Sequence, residues 1–172
     1  MTDWKYNMLK HFYRTILLLG LLLVSPLSLA DPAYKVQEVT DLTALAQQAR
    51  DAQTPILIMF SQRGCTYCTV LEEDYLRPML RSGDYQDKVI IRKVRIDSFE
   101  TLRGFNGEAI DADDLAHHYR AYVTPTMVFL DHNGNELTRR LMGIGTEGFF
   151  AAEIDQAIAT SLNRLRSVAL NH

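Results

Sequence analysis

The 172-residue sequence contains only two cysteines and one tryptophan, and its 18 lysine and arginine residues are outnumbered by 21 aspartate and glutamate residues. The lack of a basic excess argues against binding to nucleic acid, because such proteins usually present a basic patch or stripe. The shortage of cysteine argues against a structural zinc site, which needs four ligands, since Cys65 and Cys68 are the only cysteines. Internal repeats and low-complexity linkers are also missing, so we expect a single globular domain.

The first 30 residues have the pattern of a secretory signal peptide. Basic residues dominate the start, an apolar run covers residues 16–24, and Ser28-Leu29-Ala30 provides the small residues of a cleavage site. We therefore expect cleavage after Ala30, a mature domain of residues 31–172 and a location in the bacterial periplasm. The apolar run is shorter than the ~20 residues of a membrane-spanning helix. Retention of this segment as an uncleaved membrane anchor is the alternative.

The pattern of apolar residues predicts an alternation of helices and strands from residue 41 onward. Residues 41–49 repeat apolar side chains at helical spacing, and "PILIMF" (55–60) indicates a strand that is buried on both faces. A helix is expected to follow to about residue 76, with Pro78 ending or bending it, and a second strand over 88–97. The segment 98–112 predicts a small hairpin or an irregular loop around its Asn-Gly pair.

The second half of the chain predicts a helix that begins at Asp113 and Asp114 and a strand in "TPTMVFL". A hairpin turn at Asn133-Gly134 is expected to join that strand to a last strand in "ELTRRLM" (136–142), and a final amphipathic helix follows. The early strand–helix–strand unit predicts parallel strands, whereas the late hairpin adds an antiparallel edge. The expected fold class is therefore α/β, with a mixed sheet that has helices on both faces.

Both cysteines lie in "SQRGCTYCTV" (61–70), between the predicted buried strand and the helix that follows it. Cys65 is expected at the helix N-terminus, where the helix dipole and free amide groups stabilise a thiolate, and Cys68 lies one turn further on the same face. This setting favours a redox pair. Three alternatives stay open: a structural disulfide, which would restrict so short a loop very little, a metal site that recruits the adjacent His117 and His118, and two inert core cysteines, which would be unusual at this spacing in an oxidising compartment.

With Thr124-Pro125 ahead of the third core strand, the chain resembles the thioredoxin family. "MFSQRGCTYCTVLE" resembles the family's strand, CxxC motif and helix, "YRAYVTPTMVFLDHNGNEL" its helix, cis-proline, strand and hairpin, and "GIGTEGFFAAEIDQAI" its closing glycine and helix. The resemblance covers about residues 36–166. It implies the thioredoxin fold, a three-layer α/β/α structure with a mixed central sheet, a C-terminal β-hairpin and a helix. The exported layout is similar to periplasmic thioredoxin-like reductants, including the thioredoxins of bacterial sulfur-oxidation clusters.

The resemblance also implies roles for individual residues. Cys65 would attack a substrate disulfide, and Cys68 would resolve the mixed disulfide that forms. No cofactor and no metal are implied, and the partners would be protein disulfide substrates and a membrane electron carrier that re-reduces the pair. The residues that bind substrate are expected around the cysteines: Gly64, Tyr67, Thr124 and the cis-proline Pro125.

Three departures from the family pattern bear on the chemistry. Gly64 stands where thioredoxins have a tryptophan, and Met59 stands where they have a buried aspartate that helps to move the proton of the resolving thiol. Proton transfer is therefore expected to use water, Lys93 or a nearby carboxylate such as Glu72. The Cys-x-Tyr-Cys motif is similar to glutaredoxins and periplasmic disulfide isomerases, and the threonine before the proline is similar to the isomerases. These features favour a potential less reducing than that of thioredoxin.

The predicted function is that of a periplasmic thiol–disulfide oxidoreductase that reduces substrate disulfides through its CxxC dithiol. The reducing direction is favoured because the sequence has room neither for the dimerisation domain of isomerases nor for the large helical insertion of strong oxidases. Two alternatives are carried forward. One is an oxidase or isomerase that uses the same pair in the other direction, and the other is a non-catalytic binding module or metal chaperone.

Overall fold

The structure is a computed structural model that describes residues 34–146 and 148–169. The predicted signal peptide and its cleavage site lie outside the described residues. Helix α2 consists of three consecutive segments, Thr66–Val70, Leu71–Leu76 and Arg77–Ser82, of which the middle one is a π-helix. The other elements, in chain order, are α1 (Leu42–Ala52), β1 (Ile56–Ser61), β2 (Ile90–Arg95), β3 (Thr101–Arg103), β4 (Ala109–Asp111), α3 (Ala112–His118), β5 (Thr126–Leu130), β6 (Leu141–Met142) and α4 (Phe150–Ala169).

The main sheet is mixed, as the sequence predicted. Its strand order is β2-β1-β5-β6, with β1 parallel to β2 and antiparallel to β5, and with β6 antiparallel to β5. Residues 37–39 run along the outer side of β2, where Val39 donates to the carbonyl of Lys93 at 3.0 Å. The strands β3 and β4 form a separate two-stranded sheet.

Strand β1 lies at the centre of the molecule because its apolar side chains fill both layers of the core. Ile56, Ile58 and Phe60 belong to the cluster that includes residues of α1 and α3. Leu57 and Met59 belong to the cluster that includes residues of α2 and α4. All five side chains are fully buried. This alternation produces three layers, with helices on both faces of the sheet.

The prediction that the second helix reaches only to about residue 76 needs a correction, because α2 continues through Pro78 to Ser82. Proline lacks the N–H donor and its ring crowds the preceding turn of an α-helix. Here the π-helical segment Leu71–Leu76 precedes Pro78 directly, and Arg77 donates to the carbonyl of Glu72, five residues earlier. The wider turn accommodates the proline ring within a continuous helix.

The segment 98–112 forms the hairpin rather than the irregular loop. Strands β3 and β4 pair around a turn in which Gly107 has φ +83°, and Gly104 donates to the carbonyl of Glu108 at 2.7 Å. Leu102 is buried and Phe105 packs against the same core cluster. The hairpin is therefore anchored to the domain by its apolar side chains.

The last strand is shorter than predicted. Only Leu141 and Met142 form β6, although Leu137 donates to the carbonyl of Phe129 near the turn. Residues 138–140 lie outside the ladder, and the guanidinium of Arg140 donates to the carbonyl of Tyr119. Within the part of the chain that the structure describes, no helix is long and apolar enough to cross a membrane.

Candidate active site

The two cysteines lie at the junction between strand β1 and helix α2. Gly64 has φ +71°, a left-handed backbone conformation that residues other than glycine rarely adopt. It turns the chain from the strand into the helix. Cys65 is the N-cap of α2, with φ −80° and ψ 100°, and its sulfur accepts the backbone N–H of Cys68 at 3.1 Å. The predicted position at a helix N-terminus is therefore confirmed for Cys65.

Cys65 and Cys68 form a disulfide, with an Sγ–Sγ distance of 2.08 Å and a Cα–Cα distance of 5.2 Å. The two sulfurs differ in access, because Cys68 is 4% exposed and Cys65 is partly exposed. A substrate can therefore approach the outer sulfur, whereas the inner sulfur is shielded by the core. After reduction, the helix dipole and the N–H of the first turn would stabilise a thiolate on Cys65.

The loop before β5 forms the opposite wall of the site. The Thr124–Pro125 peptide bond is cis, the isomer that the resemblance implied, and Pro125 is buried. The hydroxyl of Thr124 lies 3.5 Å from the sulfur of Cys65, to which it donates. Gly143, directly after β6, donates its N–H to the carbonyl of Pro125 at 2.7 Å. The loop is thus held between the reactive sulfur and the edge strand.

Tyr67 and Gly64 form the exposed rim beside Cys65. The side chain of Tyr67 is 65% exposed although it stands between two cysteines. Gly64 leaves open space, because a Cβ atom built on it would have no neighbour within 4 Å. The tryptophan that thioredoxins have at this position is thus replaced by an open surface.

A polar cavity of about 380 Å³ adjoins the disulfide on the side of β2. Both cysteines line it, together with six charged side chains: Lys35, Glu38, Glu72, Glu73, Lys93 and Arg95. Glu72 of α2 and Lys93 of β2 form an ion pair with an Nζ–Oε2 distance of 2.8 Å, and each side chain is only 13% exposed. The structure therefore brings together the two residues that were predicted to support proton transfer.

Met59 occupies the β1 position where thioredoxins have an aspartate, so the carboxylate beside Lys93 comes from Glu72 of helix α2. Met59 pairs with Lys93 across the two parallel strands, and its side chain is fully buried in the cluster beneath α2. Glu72 follows Cys68 by four residues, which places both on one face of the helix. The carboxylate of Glu72 therefore contacts Lys93 from helix α2 and not from strand β1.

A second ion pair, between Arg63 and Asp97, was missed from the sequence. Asp97 accepts the backbone N–H of Arg63 at 3.2 Å and its Nε at 2.8 Å, and so ties the loop before Cys65 to the loop after β2. Burial raises the pKa of Asp97, but the hydrogen bonds from Arg63 outweigh it and hold the pKa below its usual value. The signal available in the sequence was a carboxylate directly after a strand parallel to β1.

His117 and His118 lie on α3 and take no part in the cluster around the cysteines. His117 packs edge-on against Tyr122, and His118 packs edge-on against Tyr119. Among residues 34–146 and 148–169, no three histidine, cysteine, aspartate or glutamate side chains are grouped closely enough to hold a metal ion. That the chemistry needs no metal stays a prediction.

Comparison with known proteins agrees with this geometry. The family model described as a thioredoxin-like domain matches residues 42–158. Among solved structures, the short form of spinach chloroplast thioredoxin F is 18% identical with a TM-score of 0.52, and the match covers 77% of this chain and 98% of that chain. A poplar thioredoxin h is 19% identical with a TM-score of 0.53, and the match covers 75% and 97% of the two chains.

The germline thioredoxin Deadhead of Drosophila melanogaster is 18% identical with a TM-score of 0.50, and the match covers 72% of this chain and 97% of that chain. At such identities the likeness to these structures shows the fold alone. No curated protein matches the sequence significantly.

Proposed function

Because the chain belongs to the family of thioredoxin-like domains, we propose that its Cys65–Cys68 pair reduces disulfides of exported proteins in the bacterial periplasm. The family and the disulfide support a thiol–disulfide oxidoreductase. The observation that carries the proposal is the asymmetry of the pair, in which a partly exposed sulfur caps a helix and a buried sulfur lies directly behind it. This arrangement suits an attacking thiol and a resolving thiol.

The proposed cycle has two exchanges. The Cys65 thiolate attacks one sulfur of the substrate disulfide, so that the Cys65–substrate bond forms and the other substrate sulfur leaves as a thiolate. The Cys68 thiolate then attacks Cys65, which releases the second substrate thiolate and closes the Cys65–Cys68 disulfide. Two electrons pass to the substrate in total. A membrane electron carrier then supplies two new electrons and reduces the Cys65–Cys68 disulfide by the same exchanges in reverse.

The substrate is proposed to bind across Thr124, Pro125, Tyr67 and Gly64. The first two form the wall that faces the sulfur of Cys65, and the last two leave the surface beside it open. A chain that lies in this groove would present its disulfide to the exposed sulfur and meet the backbone next to Pro125. Strand addition of this kind supplies main-chain hydrogen bonds without demanding a fixed substrate sequence.

Glu72 and Lys93 are proposed to move the proton of Cys68. Cys68 must lose its proton before it can attack, yet its side chain is buried. The ion pair lies on the cavity that Cys68 lines, and a water in that cavity would connect the carboxylate with the thiol. Lys93 holds the carboxylate of Glu72 in place, so it acts as a positioning residue.

The periplasmic location and the direction of electron flow rest on separate observations. Export rests on the pattern of residues 1–30. The reducing direction is supported by the short hairpin that joins β2 to α3, where a large helical insertion typical of strong oxidases has no counterpart. The hydroxyl of Thr124 favours the second candidate, an oxidase or isomerase, because a hydrogen bond to the Cys65 thiolate stabilises the reduced pair.

The test is the reduction potential of the pair in the mature protein. The protein is equilibrated in dithiol buffers and its free thiols are counted by an alkylation gel shift. A value of about −230 mV or lower supports a reductant, whereas about −180 to −120 mV reverses the direction. A Cys68→Ser variant that traps no partner, together with a pair that does not cycle, would favour the non-catalytic binding module instead.

A further inference from the structure

The exposed apolar side chains of this protein are concentrated at one edge of the sheet. Because β1 and β2 are parallel and β5 is antiparallel to them, the ends of β1 and β2 meet the start of β5 at the edge that carries Cys65. Met142 of β6 lies opposite Thr126 at that same edge. Among the described residues, five of the six exposed large apolar side chains stand there: Tyr67, Phe99, Tyr122, Val123 and Met142.

Four of these five residues belong to the groove or adjoin it in the chain, since Tyr67 forms its rim, Tyr122 and Val123 directly precede Thr124, and Met142 lies opposite Thr126. The fifth residue is Phe99. It lies in the loop 96–100 between β2 and β3 and is 99% exposed. Single exposed apolar residues are common, but a set of them around a reactive group marks an interaction surface. The position of Phe99 extends this surface beyond the groove, toward the side of the cavity.

The loop holds Phe99 outward in a defined conformation. Ser98 donates its N–H to the carbonyl of Arg95 at 3.1 Å, and Glu100 donates its N–H to the hydroxyl of Ser98 at 3.1 Å. On the N-terminal side, Asp97 binds the backbone and side chain of Arg63, two residues before Cys65. The backbone on both sides of Phe99 is therefore fixed by hydrogen bonds, and Asp97 ties it to the segment that carries Cys65.

The apolar residues near Phe99 in the sequence pack in the core, whereas Phe99 does not. Ile96, Leu102 and Phe105 in the same stretch of chain all belong to the core cluster or pack against it. These three side chains therefore anchor this stretch of chain to the core. Phe99 is available to a partner.

We propose that Phe99 is a docking residue, and that it binds an apolar side chain of the polypeptide whose disulfide is attacked by Cys65. The inference rests on the proposed function, because disulfide exchange is what brings such a chain to this edge. A small disulfide that reaches the sulfur of Cys65 would not extend past the Arg63–Asp97 pair. A polypeptide segment with an apolar residue near its cysteine would contact both places. The substrates are therefore proteins whose disulfides are flanked by apolar residues.

The test compares two synthetic peptides with the same intramolecular disulfide, one flanked by leucine and phenylalanine and the other by serine. The rate of mixed-disulfide formation is measured in the Cys68→Ser background, where it does not depend on the direction of the physiological reaction. We expect Phe99→Ser to slow the reaction with the apolar peptide about fivefold, as expected for truncation of a moderate interface residue. Phe99→Leu should retain most of the rate, and the serine-flanked peptide should react equally with all proteins.

Phe149→Ser is the matched control, because Phe149 is also exposed, at 69%, but stands before α4 and outside the loop 96–100. It should leave both rates unchanged. Equal rates of the apolar peptide with Phe99→Ser and its parent would overturn the inference, as would an equal loss with both peptides or an equal loss in Phe149→Ser. If the parent protein forms no mixed disulfide with either peptide, the proposed function itself fails, and that outcome does not depend on residue 99.

Discussion

The buried ion pair between Glu72 and Lys93 allows a quantitative prediction. Its Nζ–Oε2 distance is 2.8 Å and both side chains are 13% exposed. With an effective dielectric constant of about 20, charges at that separation attract each other by about 6 kcal/mol. Removing two ions from water offsets this by several kcal/mol each. We therefore expect the intact pair to contribute little net stability, and each charge to destabilise the folded state once its partner is removed.

The perturbation is a double-mutant cycle. Lys93→Met leaves the carboxylate of Glu72 without its cation, and we expect it to lower the free energy of unfolding by about 3 kcal/mol, the lower end for a broken buried pair because the cavity is open to water. Glu72→Leu should have a similar effect. The double variant should recover to within about 1 kcal/mol of the parent protein, so that the coupling energy is about 5 kcal/mol.

The assay is urea unfolding of the oxidised protein, followed by far-UV circular dichroism. Glu73→Gln is the matched control, since Glu73 is the next residue of α2, lines the same cavity and is 47% exposed in its pair with Arg77. It should change the free energy of unfolding by less than about 0.5 kcal/mol. Additive effects of the two single variants, with a coupling energy below about 0.5 kcal/mol, would refute the assignment of a coupled buried pair.

The same variants separate a role in proton transfer from a purely structural one. Glu72→Gln keeps the shape and a hydrogen-bond acceptor for Lys93 but removes the base. We expect it to slow the attack of Cys68 on the mixed disulfide at neutral pH and to approach the parent rate in alkaline solution, where solvent deprotonates the thiol. The measurement is the rate of release of a trapped peptide as a function of pH. A uniform change at every pH would refute the proton-transfer role.

Three further predictions concern Thr124, Tyr85 and Asp41. Thr124→Val removes a hydrogen bond to Cys65 that is stronger with a thiolate than with a disulfide sulfur, and a difference of about 1 kcal/mol would lower the potential by about 20 mV in the dithiol-buffer assay; an unchanged potential would show that the bond stabilises both redox states equally. The hydrogen bond to Asp155 raises the pKa of Tyr85 to about 12, so the stability from this group is present below a pH of about 10 and is lost as the pH rises through about 12. Tyr85→Phe should therefore make the alkaline unfolding curve less steep in that range, and identical curves would contradict this. Asp41→Ala removes the N-cap of α1 and should lower the free energy of unfolding by about 1 kcal/mol in urea, whereas a change near zero would show that water replaces the cap.

Much of the fold followed from local patterns that tertiary contacts did not override. The run "PILIMF" is apolar on both faces because β1 is covered on both faces, and the same pattern in residues 126–130 gives the adjacent strand. Pro78 misled because the rule for proline assumes α-helical geometry, and a π-helical turn is not visible in the sequence. The short β6 was missed for a different reason, because the residue pattern of 136–142 does not show which backbone groups pair with β5.

The candidate site divides in the same way between what is local and what is not. The cysteines were predictable because their spacing, the strand before them and the helix after them are contiguous in the chain. The contacts of Thr124 with Cys65 and of Asp97 with Arg63 join residues 59 and 34 positions apart, and such pairings depend on strand order. Without the family resemblance, the sequence would have offered no reason to place Thr124 beside the sulfur.

Phe99 and Phe105 show most clearly where sequence reasoning stops. Both are phenylalanines in the same segment between a strand and a helix, and periodicity does not distinguish them. The turn at Gly107 folds β4 back on β3, which directs Phe105 toward the core and against Gly134 and Tyr119. Phe99 precedes the hairpin and follows Asp97, which binds Arg63, and its side chain is 99% exposed. The same side chain therefore stabilises the fold in one position and is available for binding in the other.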